Sequence, residues 1–511
     1  MKIKSSGNRV VGNTIIMYVQ LVLNVLIGLI SVRVILNALG ESDYGVYDVI
    51  AGIVGLLSFI SNSLSQSSMR FISVSLGKGD LSETNKVFNA CFWLHLGIAG
   101  VLCVLLEIAG IFLFDGFLNI PEDRIEVAKV IYQCMVLSLF IKVNVTPLKA
   151  VASSYEEFWY VATVSITDSL LKLAIALIVA HTMRDKLLIY GFLMVGITIV
   201  NYSLYRVFNH VKHRAIVKIH RPIYARIKKV VGFASWTLLD TFSSVINRQG
   251  YSIMLNKFFG PVMNSAFAVS RQLEGHIYSI SSAVVSSMKP QIMKSHGMGD
   301  DARMYRLSLT SGKFGFYMMS LVIIPLLVMM PDVLRIWLVK VPEHTVDFAR
   351  LLIIACSAEQ LTRGLVHANQ ALGNIKWFSI VISTLRILAL PVSCLALYLG
   401  AKAEMAIMVF LIFETLGSGA RVFILSRISD FKASFFLRDV LLHVVPPFLI
   451  SYLVCYFVYP LSSGIVWMIV VFIISGFILG ICVFLFGLTK DEGHFVYSIV
   501  SPIINKLSHR K

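Results

Sequence analysis

Charged side chains stand inside stretches of this 511-residue chain that are otherwise apolar. Each such charge costs roughly 2.5–3.5 kcal/mol at the centre of a spanning helix unless it is paired or hydrated, so their arrangement is informative. Asp168 and Lys172 are four residues apart, as are Glu359 and Arg363, with His367 one turn further on; Arg271 and Glu274 are three apart. Acid and base at these spacings share a helical face and can neutralise each other. Two readings stay open for them. They are structural ion pairs turned into a helix bundle, or they are an ion- or proton-linked switch in which Asp168, Glu359 or His367 changes charge. Arg33, Arg248 and Arg386 have no acid at a neighbouring helical position, and Asp240 lies two turns from Arg248. Arg33, near a helix end, either snorkels to the interface or serves the interior. Arg386 is too central to snorkel. It needs an acid or carbonyl on another helix, or an anionic ligand such as phosphate, which a guanidinium binds bidentately.

Other chemistry is not expected. The seven cysteines form no CxxC pair and fall in apolar segments, as small packing residues do. There is no HExxH, no G-x-S-x-G and no nucleotide loop, so no cofactor, no metal and no enzymatic activity are expected.

The elements that carry these charges are membrane-grade. The composition is 57% hydrophobic and only 14% charged, and the apolar runs reach the ~20 residues that cross a ~30 Å hydrocarbon core as helix. The expected fold class is an all-α polytopic membrane protein with about fourteen spans. They lie near 10–36, 44–69, 86–114, 127–148, 158–180, 187–206, 230–256, 262–288, 307–330, 346–371, 377–398, 403–426, 439–459 and 464–487. The second, seventh and eighth carry many polar residues and should face protein or water rather than lipid. The first run is too long for a cleavable signal and reads as a span. The net charge of +17 fits positive cytoplasmic loops better than nucleic acid. That bias places both termini in the cytoplasm.

A block of sequence also recurs 220 residues later. Between Gly40–Asp80 and Gly260–Asp300, eleven of 41 aligned positions are identical, ending in SLGKGD and SHGMGD. Six spans separate the copies, an even number, which makes them parallel repeats. The expected organisation is a six-helix bundle over 1–206, a basic linker over 207–229, a second six-helix bundle over 230–426, and two additional helices with a cytoplasmic tail over 427–511. Gly77, Gly79 and Asp80, with Gly297, Gly299 and Asp300, read as matched helix–helix turns, glycine closing one helix and aspartate capping the next. A phosphate cradle is disfavoured by the two aspartates. The repeat-bearing spans are hydroxyl-rich, with Ser61, Ser63, Ser65, Ser67 and Ser68 in one and Ser279, Ser281, Ser282, Ser286 and Ser287 in the other. These residues suit either close helix packing or a hydrated wall that meets sugar hydroxyls.

With its opening NRVVGNTIIMYVQLVLNVLIGLISVRVILNALGESDYGVYDVIAG, the SLGKGD turn and the linker between two six-helix halves, the chain resembles the Wzx-type oligosaccharide and O-antigen flippases of the multidrug/oligosaccharidyl-lipid/polysaccharide superfamily. The resemblance implies two bundles around a central cavity, alternating access, and a polyprenyl-diphosphate-linked oligosaccharide as cargo. It implies a flippase in the bacterial inner membrane that serves surface polysaccharide or lipopolysaccharide export, with membrane lipids and glycan-assembly proteins as partners. It assigns Arg33, Arg248, Arg271 and Arg386 to substrate binding by helix position alone. Asp168, Lys172, Asp240, Glu359, Arg363 and His367 remain candidates for ion or proton coupling. Two alternatives stand beside it. One is a cation-coupled multidrug exporter of the MATE type. The other is a membrane glycosyltransferase or polymerase, against which the short outer loops argue.

Overall fold

Long apolar runs leave the backbone no partner but itself, so the chain is helical nearly throughout. The computed structural model describes residues 2–114, 121–183, 185–338, 341–462, 464–489 and 492–493; the expected tail over 494–511 lies outside the described residues. The helices are α1 (Lys2–Leu56), α2 (Ser58–Gly77), α3 (Leu81–Phe112), α4 (Ile125–Ser154), α5 (Phe158–Ala180), α6 (Lys186–Lys212), the short α7 (Arg214–Val217), α8 (Tyr224–Phe259) and α9 (Pro261–Gly297). They continue with α10 (Asp301–Trp337), α11 (Thr345–Leu372), α12 (Lys376–Tyr398), α13 (Ala403–Ile428), the short α14 (Ala433–Phe436), α15 (Leu442–Val458) and α16 (Ile465–Cys482). Gly40 breaks α1 at φ 80°, and the second expected span runs on through a bend into α2. Among the described residues ten helices are long and apolar enough to cross a membrane, or eleven with the bent pair counted as one span. The other three expected spans are present as α8, α9 and α11, of 36, 37 and 28 residues, whose polar side chains keep them from passing as lipid-facing. The protein is therefore a multi-pass membrane protein.

The chain divides into two compact units. One comprises 15–242 with 293–300; the other comprises 1–14, 243–292 and 301–511. In the first unit the closing turns of the two copies of the repeat meet. Gly79 and Gly299 share one conformation, at φ 77° and 78°, so both turns need a residue without a Cβ. Asp80 caps α3, its carboxylate accepting from the Glu83 N–H at 2.9 Å. Gly77 and Gly297 serve a different need. A Cβ on Gly77 would stand 3.0 Å from the Gly297 Cα and collide with the Lys294 carbonyl oxygen, while a Cβ on Gly297 would collide with the Val74 carbonyl oxygen. The equivalent glycines are the contact point between their two helix ends. Beside them Lys294 pairs with Glu156 at 2.9 Å. Glu156 holds a left-handed φ of 63°, rare for a residue with a side chain.

The basic linker is not a free tether. Asn85 donates to the Ile216 and Lys218 carbonyls at 2.6 and 2.8 Å. Asn89 donates to the Lys218 carbonyl at 3.0 Å and accepts from the His220 N–H at 2.7 Å. Trp93 donates to the His220 carbonyl at 3.0 Å, and Glu83 pairs with Arg226. One face of α3 thus holds the linker backbone in register. Asn89→Ala removes a buried donor and acceptor together, and is expected to cost about 1–3 kcal/mol. Limited trypsinolysis at Lys218 and Arg221 should accelerate accordingly; an unchanged cleavage rate would refute the clamp.

In the second unit, α10 and α11 approach through small residues. A Cβ on Gly364 would collide with the Ser308 backbone, and one on Gly312 would stand 2.6 Å from the Leu361 carbonyl oxygen. The two final spans pack on α10 through Ile324, Met329, Cys455, Val471 and Leu479. The Tyr317 hydroxyl holds them, lying 2.9 Å from the His443 carbonyl oxygen and 2.8 Å from that of Gly487.

Candidate functional site

Close α10–α11 packing fixes α11 and so aims Glu359 at α12 and α13. Arg386 of α12 reaches the Glu359 carboxylate at 3.4 Å and that of Glu414 at 3.5 Å. Arg421 of α13 reaches Glu359 at 3.3 Å and Thr362 at 3.1 Å, with its side chain only 2% exposed. Arg386 also donates to the Ser244 hydroxyl at 2.9 Å, and its own carbonyl accepts from Asn247 at 2.7 Å. The helical spacing led us to expect a Glu359–Arg363 pair, and the structure corrects it. Glu359 bonds across helices, while Arg363 lies over the Tyr278 ring at 3.8 Å and donates to Ser281 and Gln360. Arg271 and Glu274 pair along α9 at 3.2 Å, with the guanidinium over Phe267 and Phe410. His367 bonds Gln370 at 3.2 Å. The cluster thus sets Arg271, Arg363, Arg386 and Arg421 against Glu274, Glu359 and Glu414, an excess of one cation. Arg248 is exposed on α8 with no ion-pair partner among the described residues, and Asp240 is half-buried on the same helix.

The other unit carries a second polar interior. Asp168 of α5 pairs with Lys172 at 2.6 Å and accepts from Asn201 of α6 at 2.5 Å. Asn24 of α1 bonds Ser165 and Ser169 of α5 at 2.9 and 3.0 Å. Lys142 and Lys149 of α4 lie within electrostatic reach of Asp168. Arg33 is exposed on α1, also without an ion-pair partner among the described residues.

The spacing of charges did not identify Glu414 and Arg421, or Lys142 and Lys149. A signal was present: each pair is seven residues apart, two turns on one helical face, inside an apolar run. What periodicity could not show is which neighbouring helix each pair meets. The hydroxyls resolve toward packing. Ser63 bonds Thr237 at 2.6 Å, Ser73 bonds Ser154 at 2.8 Å and Ser287 bonds Thr14 at 2.8 Å, with Ser63, Ser67, Ser281 and Ser287 all buried. All seven cysteines are free thiols.

The fold is shared with known proteins. Residues 17–178 match the MatE family model. A MATE point-mutant crystal structure superposes with a TM-score of 0.73 at 13% identity, over 84% of this chain and 97% of that one. This is the fold of the MATE transporters. A transporter of the MOP superfamily from Pyrococcus furiosus Vc1, described as having a binding pocket of reverse polarity, superposes at 0.70 with 13% identity, over 85% and 97% of the two chains. An outward-facing multidrug resistance MATE transporter of the same superfamily does so at 0.70 with 13% identity, over 84% and 96%. No curated protein matches the chain by sequence.

Proposed function

We propose that this MATE-fold protein is a flippase for an amphiphilic anion, a polyprenyl-diphosphate-linked oligosaccharide. It would move this cargo from the cytoplasmic to the outer leaflet of a bacterial inner membrane by alternating access. The observation that carries the proposal is the cation excess inside both units. Arginine at several depths would replace water around a diphosphate as it leaves the interface. Arg248, accessible and without an ion-pair partner, is the strongest single ligand. Arg33 serves likewise, while Arg271 and Arg386 act from within their carboxylate contacts. The chain carries no nucleotide loop, so the drive comes from an ion gradient, the membrane potential or use of the product.

Reconstituted protein should speed leaflet exchange of a labelled polyprenyl-diphosphate glycan over empty vesicles. Arg248→Ala should slow it about ten- to hundredfold, the loss of one charge-assisted contact of about 1.5–3 kcal/mol, while folding and inserting normally. No exchange with several glycans tried would refute the proposal. The second reading, a cation-coupled exporter of small drugs, is favoured by the fold shared with a multidrug resistance transporter. It predicts gradient-driven uptake of a cationic dye into the same vesicles.

A further inference from the structure

We infer that the basic linker docks on the membrane surface, with anionic lipid headgroups of the adjacent leaflet as its partner. Its depth follows from α3. The exposed apolar face of that helix runs from Trp93 through Val101, Val104 and Ile108 to Phe112. That stretch is about 29 Å long, the thickness of a hydrocarbon core. Trp93 therefore sits where indoles collect, at the boundary between hydrocarbon and water. Its ring N–H donates to the His220 carbonyl at 3.0 Å, and Asn89, one turn away, accepts from the His220 N–H at 2.7 Å. The linker thus crosses α3 at headgroup depth and not in open water.

Charge and exposure fit that depth. Residues 186–239 contain no Asp or Glu. Lys212 and Arg226 are taken by Glu157 and Glu83. Arg214, Lys218, Arg221, Lys228 and Lys229 are exposed, with no ion-pair partner among the described residues. Asn85 and Asn89 grip the linker by its backbone, which leaves these side chains outside. Ile216 and Val217 are buried, while Ile219, Ile223 and Tyr224 are exposed, Tyr224 by 78%. A basic loop in bulk water gains nothing from bulky apolar side chains. At the interface they enter the acyl boundary, while the ammonium and guanidinium groups meet lipid phosphate. Such docking needs no cargo and stands apart from the transport reading.

The test places the full chain in liposomes of equal phosphatidylcholine and phosphatidylglycerol, with the photo-crosslinker benzoylphenylalanine in place of Ile219. Mass spectrometry identifies the adducts. Each basic side chain near an anionic surface is worth roughly a fivefold preference, so phosphatidylglycerol adducts should outnumber phosphatidylcholine adducts at least about fivefold. R214Q/K218Q/R221Q should bring the ratio close to parity with an unchanged unfolding midpoint, because these side chains have no ion pair to lose. Salt at about 1 M, where the screening length falls to about 3 Å, should do the same without the three substitutions. A ratio near one at low salt would overturn the docking. So would a ratio unchanged by the triple variant or by salt, or adducts between two copies of the chain in place of lipid adducts.

Discussion

Glu359→Gln is expected to destabilise the protein by about 3–5 kcal/mol, the cost of leaving a buried charge without its partner. Two guanidinium groups depend on this carboxylate, Arg386 at 3.4 Å and Arg421 at 3.3 Å. Arg386 retains Glu414 at 3.5 Å and Ser244 at 2.9 Å after the change. Arg421, 2% exposed, retains Thr362 as its direct partner, with the Glu414 carboxylate acting on it only at longer range. The damage should therefore be concentrated at Arg421, and the double variant Glu359→Gln/Arg421→Gln should recover part of the loss. Thermal unfolding of the four proteins in a double-mutant cycle measures the coupling. A single-variant loss below about 1 kcal/mol would mean that water, not the arginines, satisfies Glu359. The same cycle decides how Glu359 is used. A carboxylate that two arginines hold charged is a scaffold, and replacing it should lower stability and transport together. A coupling group would lose transport with its stability intact.

Gly297→Val is the second large effect. Its new Cβ would lie 3.0 Å from the Gly77 Cα and 3.0 Å from the Val74 carbonyl carbon. Both are backbone atoms that cannot rotate away, so the helix ends must separate. Overpacking of this kind costs about 1–3 kcal/mol, and Gly77→Val should cost a similar amount by the same contact. The double variant should be markedly less than additive, because the contact is lost only once. Gly79→Ala tests a different demand, since φ 77° asks only for left-handed backbone. It should cost about 1–2 kcal/mol of local strain and combine additively with Gly297→Val. Unfolding midpoints of the single and double variants separate the two cases. Additive losses for Gly77→Val with Gly297→Val would show that the glycines do not meet.

The apolar runs determined by themselves that the chain is a bundle of long helices. Hydrocarbon forces each segment to satisfy its own backbone, and that is a local property. The internal repeat was equally legible: φ values of 80° and 82° at Gly40 and Gly260, and of 77° and 78° at Gly79 and Gly299, follow from residue type and neighbours. Local spacing also gave the Asp168–Lys172 and Arg271–Glu274 pairs, whose partners lie on one helix. Only the tertiary structure decided that Glu359 leaves Arg363 for Arg386 and Arg421, and that Asn85 and Asn89 bind the linker. It alone showed that Gly77 touches Gly297. Helical periodicity says which side chains share a face, but not which helix that face meets. That choice depends on how small residues such as Gly312 and Gly364 let neighbouring backbones approach. The charges therefore mark a polar interior in the sequence, and helix packing determines which of them are paired across helices.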